Sequence, residues 1–123
     1  MWPRFAGITI LAILLVKNGG LAQDPMKAEP RHYKLAFENQ HVQVVYIHYG
    51  PHERSSLHNH AAGVVVNISE AHLRLTDQDG KTLEIFSKPG EARWFPPLRR
   101  EVENLNNLPY DGVYISTKDN SGH

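Results

Sequence analysis

Two histidines one residue apart, His58 and His60, are the side chains here whose type and spacing best suit chemistry. They close the segment Gly50-Pro51-His52-Glu53-Arg54-Ser55-Ser56-Leu57-His58-Asn59-His60. On an extended strand, residues two apart project from one face, about 7 Å apart along the chain. Imidazoles so placed can converge on one metal ion at about 2.0–2.1 Å. A lone His-x-His is also common on solvated strands, so it becomes a site only with partners. The remaining chemistry is narrow. The chain has no cysteine, which excludes disulfides, thiolate metal sites and a cysteine-linked lipid anchor. There is no Gly-rich phosphate loop and no Gly-x-Ser-x-Gly elbow, so nucleotide binding and triad hydrolysis have no support.

The elements that must position these residues are short strands. Apolar, β-branched or aromatic runs occur at Tyr33–Phe37, Val42–Tyr49, Val64–Ile68, His72–Leu75, Thr82–Phe86, Glu91–Phe95 and Val113–Thr117. Turn residues separate several of them, at Asp77-Gln78-Asp79-Gly80 and Lys88-Pro89-Gly90. Val42–Tyr49 is apolar on both faces, which predicts a strand between sheets or one with its outer face covered. No stretch beyond the first 22 residues keeps a helical period. The pattern predicts an all-β domain, an antiparallel β-barrel or jelly roll, over residues 33–118 with a tail at 119–123.

The first 22 residues have the three parts of an export signal. Arg4 stands in a short leader, Ala6–Val16 is apolar, and Gly20-Leu21-Ala22 offers small residues before a cut. Eleven apolar residues are too few to span a bilayer, which needs about 20. The expected mature chain starts at Gln23, is periplasmic or secreted, and keeps no stable membrane anchor. Its polar residues 23–32 read as a flexible leader. Losing Arg4 and Lys17 leaves 11 Lys+Arg against 13 Asp+Glu, a net of −2. That balance, without a basic run, gives no footprint for nucleic acid.

With these strands and this histidine pair, the sequence resembles the small single-domain cupins. The resemblance runs from about Val42 to Thr117. In the family's first motif, G-x5-H-x-H-x3-E-x6-G, His58 and His60 stand at the histidines. His52 falls at the opening glycine, Val64 at the glutamate and Ala71 at the closing glycine. In the second motif, G-x5-P-x-G-x2-H-x3-N, Gly90 and Pro96 match and Leu98 replaces a glycine. Placing Asn104 on the motif's asparagine requires one deletion and puts Arg100 at the third histidine. Without the deletion Glu101 falls there. The resemblance implies a β-barrel, allows a homodimer, and implies a site of three histidines and a glutamate facing inward. Only His58 and His60 of that set are kept.

Arg100 carries a fixed positive charge and no acceptor lone pair, so it cannot ligate a metal. Val64 at the glutamate position removes the anionic oxygen. Three readings follow. One is a small anionic ligand held by His58, His60 and Arg100, with Trp94 as a candidate platform. Another is a metal-dependent oxygenase or isomerase, using zinc, manganese or iron with His52, His48, His72 or Glu101 as substitute ligands. The last is a structural or assembly protein with a filled barrel. Trp94 and Phe95 read first as core residues, His41, His48 and His72 as exposed or satisfied by neighbours, and His32 and His123 as solvated. Asn67-Ile68-Ser69 matches a glycosylation pattern by chance within a strand.

Overall fold

The structure is a computed structural model describing residues 25–118; the expected export signal at 1–22 and tail at 119–123 lie outside the described residues. Burial alternates with a period of two. In Val42–Tyr49 (β2), Val45, Ile47 and Tyr49 are buried while Tyr46 and His48 are exposed. In Ala71–Asp77 (β5) the buried set is Ala71, Leu73 and Leu75. In Leu98–Asn104 (β8) it is Arg100, Val102 and Asn104. In Tyr110–Thr117 (β9) it is Tyr110, Gly112, Tyr114 and Ser116. Each apolar side chain of this size buried on one pleated face contributes about 1.5–3 kcal/mol.

Five further strands complete the domain: Tyr33–Glu38 (β1), His58–His60 (β3), Gly63–Asn67 (β4), Thr82–Ser87 (β6) and Ala92–Phe95 (β7). They form two sheets, of order β1-β2-β9-β4-β7 and β3-β8-β5-β6, with every pairing antiparallel. The inward faces of both sheets supply one core, including Tyr33, Ile47, Leu73, Ile85, Phe95 and Val102. All the runs expected to be strands are strands, and both expected turns are present. Gly90 sits at φ 85°, which only glycine adopts without cost, and its N–H closes onto Asn67 O at 2.7 Å.

Several expectations change. Residues 23–32 were expected to form a flexible leader. Within them Pro25–Ala28 is a helical turn (α1), and the Glu29 carboxylate accepts hydrogen bonds from the Ser56 amide, at 3.0 Å, and hydroxyl. His32 is buried instead of solvated: it stacks on Tyr49 at 4.1 Å, and its Nδ1 donates to His48 O at 2.9 Å. The outer face of β2 is not closed over, since Tyr46 is 54% exposed. An antiparallel sheet needs only one covered face. Trp94, expected in the core, is 61% exposed, while its neighbour Phe95 is buried. Pleat parity allows only one of two adjacent residues to face inward. Among the described residues no helix is long and apolar enough to cross a membrane.

Candidate ligand-binding cavity

The segment before β3 is fixed to β8. Ser55 N donates to Val102 O at 2.9 Å, and Val102 N donates to Ser55 Oγ at 3.1 Å. Asn104, almost wholly buried, donates through Nδ2 to the carbonyls of Tyr49, Gly50 and Leu108 at 2.9–3.2 Å. These bonds set the register in which His58 faces Arg100 and His60 faces Leu98. Directly opposed residues have Cβ atoms about 5 Å apart, so the β3–β8 pairing itself puts Arg100 beside the histidines.

Both imidazoles point inward and are buried, with ring centroids 4.4 Å apart. His58 Nδ1 is 2.7 Å from Ser56 O. A carbonyl only accepts, so Nδ1 carries the proton, and the neutral ring presents a bare Nε2. His58 Nε2 and both nitrogens of His60 have no hydrogen-bond partner among the described residues. Tyr33 packs edge-on against both rings, at 5.2 and 5.9 Å, and Tyr114 stacks on His60 at 5.5 Å. Burial, then the charge of Arg100, lowers the His60 pKa to about 2, and burial lowers that of His58. Both rings are therefore neutral at physiological pH.

Arg100 is 3% exposed, and its Nε and NH1 atoms have no hydrogen-bond partner. Its guanidinium lies 4.5 Å over the Phe95 ring and faces Tyr114. Burial pulls its pKa down, but from a value so high that the charge persists. Burial also raises the phenols of Tyr33, Tyr49 and Tyr114, so none supplies a phenolate to balance it. Tyr33, His60, Phe95, Arg100 and Tyr114 line a cavity of about 50 Å³, walled also by Ile47, Val65, Leu75 and Arg93.

The structure thus joins His58, His60 and Arg100 and separates the other candidates. Glu101 has the opposite parity on β8 and binds Arg54 at 3.0 Å on the outside. His52 is exposed and bonds Asn107 at 2.7 Å, holding the opening-glycine position at φ 62°. His48 pairs with Asp111 at 2.7 Å on the exterior, and His72 stacks on Phe86. Trp94 lines an outer groove and not the cavity. Val64 needs correction as well. It pairs with exposed Trp94 on the outer face, and Val65 lines the cavity. The spacing from His60 to the inward position is thus one residue longer than in the family motif.

No protein-family model and no curated protein matches the chain. Solved structures do. A cupin domain from Bordetella pertussis Tohama I superposes with a TM-score of 0.65 at 22% identity, covering 70% of this chain and 91% of its own. The fold is the cupin fold. A cupin-family protein with a double-stranded β-helix from Methanocaldococcus jannaschii gives 0.56 at 17% identity, covering 69% and 77%. A double-stranded β-helix protein from Klebsiella pneumoniae gives 0.57 at 18%, covering 73% and 78%.

The metal that a cupin fold implies can be tested against the residues of this barrel. Two imidazoles face inward, but the third place holds a guanidinium and the fourth an isopropyl group, Val65. Among the described residues no group of three or more His, Cys, Asp or Glu side chains could hold a metal ion. A buried fixed cation beside two neutral ligands, with no anionic donor, does not fit a divalent transition metal.

Proposed function

We propose that this cupin-fold protein binds a small anionic ligand, a carboxylate, inside its barrel. The observation that carries the reading is Arg100: a buried guanidinium with two unpartnered nitrogens, turned into a cavity and with no carboxylate ion-paired to it among the described residues. Burying an ion costs several kcal/mol even after relaxation. The contact with Phe95 returns about 2 kcal/mol, less than that cost. The remainder favours an anion, and a planar guanidinium takes a carboxylate through two parallel hydrogen bonds. His60, which lines the cavity, adds a neutral group that can orient such a ligand, with the His58 ring 4.4 Å behind it. Neutral rings also keep the pocket from accumulating further charge.

The test is calorimetric titration of the protein with acetate, propionate and butyrate, repeated on Arg100→Met. Methionine keeps the stem's packing while removing the charge. Binding by wild type, with at least a tenfold loss in Arg100→Met, is expected. If no carboxylate binds, or the variant binds equally well, the reading is wrong. Binding of zinc or manganese by wild type would move the reading to a metal site.

A further inference from the structure

A second arginine shares the cavity. Arg93, on β7, stands opposite Val65 and has the inward parity of Phe95. Its guanidinium lies 5.7 Å from the Phe95 ring centroid, and that of Arg100 lies 4.5 Å from it. One ring is therefore the shared wall for two cations. Both arginines line the inner cavity, and both line the groove that opens beside it, between the β5–β6 turn and the β7–β8 corner. Lys81 lies along that groove as well. Among the described residues neither arginine takes part in an ion pair. Asp77 lines the groove too and stands opposite Arg100 in the β5–β8 pairing; its Oδ1 accepts from the amides of Asp79 and Lys81, at 2.8 and 3.0 Å, and among the described residues its carboxylate forms no ion pair with either arginine.

Two like charges brought to one wall repel each other, and the repulsion is strongest where one of them is buried. A ligand with a single negative group would neutralise only the inner one. We propose that the ligand is a small dicarboxylate, with one carboxylate on Arg100 inside the barrel and the other on Arg93 at its mouth. This rests on the carboxylate reading above. Guanidinium groups 5.7 and 4.5 Å from the centroid of one apolar ring call for a short hydrocarbon spacer between the carboxylates. Arg100 is buried and supplies the fixed end; Arg93 is exposed and supplies the outer end.

The experiment titrates malonate, succinate and glutarate against their one-carboxylate counterparts acetate, propionate and butyrate, into wild type, Arg93→Gln and Arg93→Lys. Wild type should prefer the best dicarboxylate over its counterpart by about tenfold or more, as expected for one added charge-assisted contact. That ratio should fall to near one in Arg93→Gln and be largely kept in Arg93→Lys. Monocarboxylates binding as tightly as dicarboxylates, or a ratio unmoved by Arg93→Gln, would overturn the dicarboxylate inference while leaving the carboxylate reading in place. Failure of every carboxylate to bind wild type overturns both. Circular dichroism of Arg93→Gln checks that the barrel is intact, and the exposed position makes misfolding unnecessary to invoke.

Discussion

Side chains at two positions, Arg100 and Val65, turn a metal-binding arrangement into a cationic one. His58 and His60 keep the geometry of ligands, including an anchored Nδ1 on His58. Arg100 replaces a nitrogen donor by a charge, and Val65 puts a hydrocarbon where an anionic oxygen would stand. The double change Val65→Glu with Arg100→His should therefore create zinc or manganese affinity at least tenfold above wild type by calorimetric titration at pH 7.5, where free imidazoles are deprotonated. Val64→Glu with Arg100→His is the matched control and should gain much less, because Val64 lies on the outer face with Trp94. Equal gains from both pairs would overturn the inward placement of Val65 over Val64.

At the scale of elements, the site depends on how closely β4 and β9 approach. Gly63 opens β4, and a Cβ built there would lie 2.5 Å from both the Ile115 carbonyl oxygen and Tyr114 Cε1. The first contact is backbone and cannot yield cheaply. The second is the ring that stacks on His60. Gly63→Ala should thus destabilise the protein by about 1–3 kcal/mol, read from urea unfolding, as overpacking does. It should also weaken carboxylate binding, since Tyr114 cannot keep its place beside His60 and Arg100. An alanine variant of wild-type stability would mean that β4 and β9 lie farther apart than described. The strands were legible because β-branched and aromatic residues alternate with polar ones. β8 was legible only through the motif: Arg99, Arg100, Glu101 and Glu103 make it too charged to read as a buried strand from its own residues.

The molecule as a whole couples its acid stability to the site. His60 has an ordinary pKa of 6.5 when unfolded and about 2 when folded, with burial the chief cause. The folded state therefore binds fewer protons, and the contribution from keeping His60 neutral is complete above about pH 6.5. It is lost progressively as pH falls from there toward 2, with a slope approaching 1.4 kcal/mol per pH unit for one proton. His58, lowered in the same direction, steepens the loss. Urea unfolding at half-unit steps from pH 7 to pH 4 should show this decline. His60→Gln should make it shallower by up to one proton's worth of slope. An unchanged slope would mean that the unfavourable protonation resides elsewhere.

The amino-acid order alone determined the all-β class, the turns and the importance of His58 and His60, because all three follow from local pattern: a period of two, glycine at forced φ angles, and donors spaced along one strand. It also singled out Arg100 once Asn104 was held to the motif's asparagine. What it could not decide was which of two adjacent residues faces in. That choice fixed Val65 over Val64, Phe95 over Trp94 and Arg100 over Glu101, and it brought Arg93 into the cavity unannounced. A shift of one residue along a strand reverses every side chain, and the shift is set by pairing with strands distant in sequence. His32 went the same way: nothing in its neighbourhood along the chain marks it as buried, and only the packing of the N-terminal segment against Tyr49 makes it so.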